Sequence, residues 1–508
     1  MSGPAAVPGE FTVLPDLMDA AVAQIGAREA YVDGERRVTF AEWMRAADGV
    51  AAALAERGVG RGDVVALWFD GTVDYAIAYA AVVRLGAVAT GINPRLGPRE
   101  VGAILGRCRP RLLVAPDSAV VPHGAPRMAR LSLPELVAAQ TRPGGSPRPP
   151  GDPTDPVCII WTSGTTGIPK GAWFDHRGLA AAVPAAGAMT VAFDRRISGL
   201  PMAHAGFMAK LWEQLAMGVT IVLAPTPWSA PSMLDVLVRE HITVVAAVPA
   251  QWAKLVELPD VISADLTGVR IGLSATAPAS PELIARVVDT IGCPLVVRYA
   301  MTESPSITGT APTDPPAVQY ETVGRTQAGM EVDLVDDAGI PVAPGAVGRV
   351  RVRGACVMRG YWDDPEATAA VLGRDGALLS SDLGRFDVDG NLVLLGRVDD
   401  LYIRGGYNVY PLEVEHVLAE HPAVDRVAVV GVPAEVIGEI GVAYVVPRDP
   451  AAPPDLASLR RWVAGRLADY KAPDRLVLCA DLPLTPMAKV DKAALRRTGS
   501  DGVGRDLT

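Results

Sequence analysis

The sequence predicts an α/β fold: a large N-terminal domain of subdivided α/β sheets, followed by a small C-terminal α+β domain. Three observations predict it. Between Asp63 and Tyr299, short apolar runs alternate with helical stretches, the pattern of a mostly parallel sheet with helices on its faces. From Val347 to Arg353 the pattern changes to strict alternation, VGRVRVR, which marks a half-exposed antiparallel strand. After Gly396-Arg397-Val398-Asp399-Asp400 breaks that pattern, a new helix–strand–strand–helix order begins.

The elements follow in order. Val64 to Trp68 is β-prone, Tyr75 to Leu85 is a helix, and Gly86 to Ala89 turns into the next strand. Further strands are expected near Ile221–Ala224, Ile242–Val248, Val269–Leu273 and Leu295–Tyr299. The Pro- and Gly-dense stretch from Thr141 to Pro156 is a loop or linker. Beyond Leu392–Leu395, the expected elements are a helix over Pro411–Glu420, strands over Arg426–Val432 and Gly441–Val446, and a helix over Leu456–Leu467. The domains are therefore expected to span 1–397 and 398–508. No repeat of fixed period is visible.

Bulk composition narrows the function. The chain has 508 residues, 49% of them hydrophobic, enough for a large core. Its net charge of −10 argues against a nucleic-acid-binding protein, which usually presents a basic face. Cys108, Cys158, Cys293, Cys356 and Cys479 are scattered, without zinc-site or disulfide spacing, and read as reduced, buried thiols. The six histidines show no metal-ligand spacing either. The N-terminus lacks a signal-peptide pattern, and Gly178–Phe193 is too short and too weakly apolar to span a membrane. A soluble, cytoplasmic monomer or homodimer is expected.

The stretch IIWTSGTTGIPKGAWF, residues 159–174, carries the first chemistry. A strand runs into Thr162-Ser163-Gly164-Thr165-Thr166-Gly167, followed by Pro169 and Lys170. Such a loop can turn backbone N–H groups and hydroxyls onto a phosphate, with a lysine adding charge. A plain polar turn uses the same residue types. A Walker A loop is excluded: counting from Gly164, the sixth residue is Pro169, and Gly171 follows Lys170 where Ser or Thr is needed.

The string T-S-G-T-T-G-x-P-K-G over Thr162–Gly171 resembles the signature of the adenylate-forming superfamily, and of its acyl-CoA synthetases in particular. Further motifs of that family follow in order: Pro201-Met202-Ala203-His204, Ala275-Thr276-Ala277-Pro278, Tyr299-Ala300-Met301-Thr302-Glu303, Ser381-Asp382, Gly396–Asp400, Arg404–Asn408, Leu467–Pro473 and Pro486–Asp491. The resemblance runs from about Phe11 to Arg497.

The resemblance implies a two-step, ATP-dependent ligase. A carboxylate attacks the α-phosphorus of ATP to give an acyl-adenylate and pyrophosphate; a thiol, usually that of coenzyme A, then displaces AMP. By the same resemblance, the Thr162–Lys170 loop would hold the β- and γ-phosphates. Ala275, Thr276 and Ala277 would line the adenine slot and Tyr299 would stack on the base. Asp382 and Arg397 would bind the ribose, and Thr302 the α-phosphate. Glu303 would bind Mg²⁺, a hard ion suited to oxygen ligands. Lys489 would neutralise the repulsion between carboxylate and α-phosphate and stabilise the transition state. An isolated lysine is ordinarily a solvated surface residue; here it ends a series of ordered motifs. His204, Ala205, Ala209 and Ala275 would line the acyl pocket, with His204 as a gate only.

Asp399 is the implied hinge of a mobile C-terminal domain, which would present first Lys489 and then Gly405-Gly406, at a pantetheine tunnel. Read alone, the two glycines equally suit an ordinary turn. Trp212, Trp228 and Trp252 read as core or pocket wall, and Arg496, Arg497 and Arg505 as a solvated tail. Ala275, Thr276, Ala300, Ser381 and Ala488 stand where the family commonly has glycine, each adding at least a methyl group. Alanine-rich segments around the pocket, with no Asp after His204 to hold an α-ammonium, point to a bulky, hydrophobic acid. A ligase specialised for thioester formation from preformed adenylate, and a stand-alone adenylation enzyme loading a carrier protein, are the alternatives.

Overall fold

The computed structural model describes residues 5–144, 149–162, 169–274, 281–434, 437–485 and 489–500. Its architecture is mixed α/β, with a large N-terminal part and a small C-terminal one, as the sequence predicts. Four sheets are present among the described residues.

The seven-stranded sheet runs, edge to edge, Gly360–Tyr361, Lys170–Asp175, Pro156–Thr162, Val88–Gly91, Val64–Leu67, Leu112–Ala115 and Ala129–Ser132. Its central strands pair in parallel. Val64–Leu67, Val88–Gly91 and Leu112–Ala115 are buried on both faces, which is why they read as continuous apolar runs rather than alternating ones. The nine-stranded sheet has the order Arg325–Thr326, Ser304–Gly309, Leu295–Met301, Ile271–Ser274, Val244–Ala247, Arg195–Ser198, Thr220–Leu223, Glu29–Asp33 and Arg36–Thr39. Helices cover the faces. One of them, Phe40–Glu56, starts on a reciprocal cap: Thr39 Oγ1 accepts from Glu42 N at 3.2 Å, and Thr39 N donates to the Glu42 carboxylate at 2.9 Å.

The alternating segment forms the four-stranded antiparallel sheet Met330–Val335, Gly348–Gly354, Leu378–Phe386 and Leu392–Arg397. The expected break at Gly396 comes slightly later. Arg397 still pairs with Asp382, so the strand runs through Arg397 and the irregular connection is Val398–Leu401. A five-stranded sheet then begins at Tyr402–Arg404; its centre is Gly438–Pro447, flanked by Val424–Ala434 and Arg475–Leu478. Helices Pro411–Ala419 and Leu456–Ala464 cover one face, closing a separate apolar core around Tyr402, Val414, Leu418, Val429 and Leu459.

One surface expectation is corrected. Arg496 does not belong to a solvated tail: its guanidinium donates to the Asp399 backbone carbonyl at 3.0 Å and to Asp400 Oδ1 at 2.7 Å. Helix Lys492–Ser500 brings it back across the Val398–Leu401 connection. Arg497 is exposed, and Arg505 lies outside the described residues. All five cysteines are free and buried. Among the described residues, no helix is long and apolar enough to cross a membrane.

Candidate active site

Three antiparallel hairpins from three different sheets carry the site. The first joins Pro156–Thr162 to Lys170–Asp175, with Thr162 opposite Lys170. These two residues are therefore the paired ends of the hydroxyl-rich loop. Ser163, Gly164, Thr165, Thr166 and Gly167 themselves lie outside the described residues, as do Ala275, Thr276 and Ala277 beyond strand Ile271–Ser274, and Ala488. In the second hairpin, Met301 pairs with Ser304, which leaves Thr302 and Glu303 as its two-residue tip. The third sets Asp382 opposite Arg397.

Hydrogen bonds tie these tips together. Asp382 Oδ2 accepts from the Tyr299 hydroxyl at 2.5 Å. Arg397 Nε lies 3.6 Å from Asp382 Oδ1 and donates to Ser381 Oγ at 3.1 Å. Ser381, where a glycine is common, thus orients the arginine. Tyr299 is only 8% exposed, so little of its ring face is open to a base. Glu303 Oε1 accepts from the Tyr361 hydroxyl at 2.7 Å, and Lys170 Nζ lies 5.4 Å from the centre of the Tyr361 ring. Burial first, then the Glu303 carboxylate, pushes the Tyr361 phenol above its ordinary pKa, so it remains a donor at neutral pH.

Lys489 reaches this group from the C-terminal segment. Its backbone is pinned by Thr485, whose N–H donates to the Lys489 carbonyl at 2.7 Å and whose Oγ1 accepts from Lys489 N at 3.3 Å. The side chain keeps contact with solvent, yet protein surrounds its ammonium. That crowding holds its pKa below the usual lysine value; Arg397 adds to the lowering, while Asp382 and Glu303 oppose it. Lys489 therefore feels both carboxylates of the site at once. It also acts on His204, whose pKa falls to about 4, first through burial and then through the Lys489 charge. His204 is a neutral imidazole at pH 7. Its Nδ1 accepts from Gly206 N at 3.1 Å and caps the short helix Ala205–Met208.

Two cavities flank that helix. One lies between His204, Ala203, Pro201, Trp161, Thr162 and Pro169. The other is lined by Leu200, Phe207, Ile221 and Ala246, with Lys210 and Arg196 among its walls. Ala205 and Ala209 are the alanines of this segment expected at the acyl pocket. Both are buried in the core and line neither cavity. Gly206 and Phe207 of the short helix, and Lys210 in the turn after it, line the second cavity, while Ala205 and Ala209 pack into the core.

Gly405 and Gly406 form the tip of the Tyr402–Arg404/Tyr407–Val409 hairpin, at φ of 57° and 88°. Positive φ at both positions of a two-residue turn by itself favours glycine. Tyr361, Arg496 and Lys210 were missed by sequence reading. Tyr361 is paired to Ala172 and brought to Glu303 only by tertiary folding, and nothing local signals it. Among the described residues, no cluster of three or more metal-binding side chains exists. A single carboxylate, Glu303, suits Mg²⁺, which keeps water and phosphate oxygens as most of its ligands.

Comparison with known proteins decides the family. The AMP-binding enzyme model matches residues 18–362, and the model of the AMP-binding enzyme C-terminal domain matches 413–489. The chain belongs to the AMP-binding enzyme family. It is 34% identical to an indoleacetate–CoA ligase of Aromatoleum aromaticum over 481 residues, covering 91% of this chain and 93% of that protein. It is also 34% identical to a feruloyl-CoA synthase of Amycolatopsis over 471 residues, 91% and 94% of the two chains. ATP-bound MatB from Rhodopseudomonas palustris superposes with a TM-score of 0.88 at 28% identity, over 96% of this chain and 99% of that one. This AMP-binding enzyme is an acyl-CoA synthetase, an acid–thiol ligase of the adenylate-forming superfamily, using ATP, Mg²⁺ and coenzyme A.

Proposed function

We propose that this acyl-CoA synthetase activates a bulky, hydrophobic carboxylic acid and that Lys489 serves the adenylation step alone. The observation that carries the reading is the common electrostatic field of Lys489, Asp382, Glu303 and Arg397, which joins the C-terminal lysine to the nucleotide side of the site.

In the first step the acid's carboxylate oxygen bonds to the α-phosphorus, and the bond from that phosphorus to the bridging oxygen of pyrophosphate breaks. Asp382, held by Tyr299 and Arg397, accepts the ribose hydroxyls, and Arg397 donates to the sugar. By the family resemblance, Ala275, Thr276 and Ala277 would serve the adenine slot. Thr162 and Lys170 hold the two ends of the loop that grips the β- and γ-phosphates, with Ser163, Gly164, Thr165, Thr166 and Gly167 supplying donors. Thr302 donates to the α-phosphate. Lys489 stands between the two like-charged reactants, where a preorganised ammonium stabilises the transition state. Bound Mg²⁺ supplies neutralisation of phosphate charge, and Glu303, oriented by Tyr361, would hold it.

In the second step the 398–508 domain turns about Asp399 against the 1–397 domain. Lys489 leaves, and Gly405-Gly406 face the pantetheine arm. The thiolate sulfur bonds to the acyl carbon, the carbon–oxygen bond to AMP breaks, and AMP departs.

The acid's character is read from the cavity beside the His204 helix. Ile197, Leu200, Phe207, Val219, Ile221 and Ala246 are among its walls, and neutral His204, which lines the neighbouring cavity, can gate the passage between them. The similarity to ligases named for indoleacetate and feruloyl groups supports a ring-bearing acid. Mass spectrometry of products formed from ATP, coenzyme A and a panel of acids tests this. The expected result is an acyl-CoA ester of a bulky acid; preference for acetate or a free amino acid would overturn it.

A further inference from the structure

The cavity assigned above to the acyl group contains a charged cluster that the reaction does not use. Glu213 is 1% exposed. Its Oε1 accepts from Thr190 Oγ1 at 2.5 Å and from Arg196 Nη2 at 3.0 Å, and its Oε2 from Lys210 Nζ at 2.8 Å. Burial would raise the Glu213 pKa, but Lys210 and Arg196 bring it down to about 2, so it is an anion throughout the working range.

The charges do not balance. Two cations, Lys210 and Arg196, share one carboxylate. Arg298 lies close enough to interact with both Glu213 and Arg196, which adds positive charge. Cys356, near Lys210, is a neutral thiol pushed up to about 11 by burial. Buried Arg196 Nε has no partner among the described residues. Lys210 carries three N–H donors, and Glu213 is its hydrogen-bond partner among the described residues. Lys210 and Arg196 both line the cavity, whose other walls are mostly apolar; Ser198 and Gln214 also line it, and Gln214 is engaged by Tyr31 and Ala30. Positive charge beside an apolar cavity is costly unless something accepts its hydrogen bonds.

We propose that Lys210, with Arg196 behind it, forms a cationic end to the acyl cavity that selects acids bearing an oxygen acceptor, a ketone or a second carboxylate, at the end remote from the reacting carboxyl group. This rests on the ligase reading and narrows its substrate class. Lys210 lies beyond His204 by the short helix Ala205–Met208 and the turn that follows it. The acceptor therefore belongs on the far side of a ring or a medium-length chain. Glu213 is a positioning residue: it holds the Lys210 ammonium without touching the acid.

The test compares octanoic acid, 7-oxo-octanoic acid and octanedioic acid as substrates of the wild type, of Lys210→Met and of Lys210→Met/Glu213→Gln. The double variant removes the carboxylate that the single one leaves under-partnered. Binding of the matching acyl-sulfamoyl adenosines, by calorimetry, reads the same preference without turnover. The wild type should favour an oxygenated acid over octanoate by ~10-fold or more, the scale of a hydrogen bond to a charged group. The ratio should fall toward one in both variants. The keto acid and the diacid tell a neutral acceptor from an anion. A wild-type ratio of one or below, or a ratio that survives in the double variant, overturns the proposal while leaving the ligase reading intact. Failure of all three acids to react, with no analogue bound, also overturns the proposal, and leaves the ligase reading to the wider panel of acids.

Discussion

Tyr361 donates its hydroxyl to Glu303 Oε1 at 2.7 Å, with Lys170 5.4 Å from the centre of its ring. It thereby joins the edge of the seven-stranded sheet to the hairpin tip that carries Thr302 and Glu303. A hydrogen bond to a charged group contributes about 1.5–3 kcal/mol. Tyr361→Phe keeps the ring beside Lys170 and frees the carboxylate. Pyrophosphate release should then need ~10-fold or more additional Mg²⁺ for half-maximal rate, while thioester formation from preformed adenylate should be unaffected. An unchanged Mg²⁺ dependence would show that Tyr361 does not orient Glu303 for the metal.

Arg496 fastens the Val398–Leu401 connection through the Asp399 carbonyl and Asp400. Asp399→Pro fixes φ near −65° and restricts Val398 before it. It should retain adenylation and lose thioester formation. Arg496→Ala releases the fastening instead, and should slow adenylation several-fold while sparing the second step. Both half-reactions at wild-type rate in both variants would remove Asp399 as the hinge.

His176 is buried at the start of helix His176–Ala186, where its Nδ1 accepts from Leu14 N at 3.1 Å. Burial lowers its pKa from 6.5 to about 4. Between those values the unfolded chain binds a proton that the folded chain refuses, so stability is lost as pH falls from 6.5 toward 4. The ceiling is about 3 kcal/mol. His176→Asn keeps an acceptor for Leu14 N without titrating. Its denaturation midpoint should fall less between pH 7 and pH 4.5 than that of the wild type. Equal falls would contradict the assignment.

The sequence made the fold legible wherever burial is periodic. Doubly buried parallel strands such as Val64–Leu67 read as apolar runs, and Gly348–Gly354 as an alternation. Thr302 and Glu303, singled out as part of a motif, sit together on one hairpin tip. Residues that act across the fold were not legible. Tyr361 meets Glu303 through sheet pairing, and Arg496 meets Asp399 from the far end of the chain. Lys210 was hidden by its place in the turn between two short helices: the alanines beside it suggested a pocket wall, yet Ala205 and Ala209 pack into the core while Lys210 lines the cavity. Ser381 shows why a departure from glycine need not be damage, since its hydroxyl is what Arg397 grips.

The central claim is that Lys489 works in adenylation and not in thioester formation. Measuring both half-reactions separately in Lys489→Ala tests it most directly: pyrophosphate release from acid and ATP, and CoA-ester formation from synthetic acyl-adenylate. Removing one preorganised electrostatic partner typically costs ~10²–10³ in rate. The first half-reaction should fall by about that factor and the second by several-fold at most. Equal loss of both half-reactions, with the variant folded, would contradict the account.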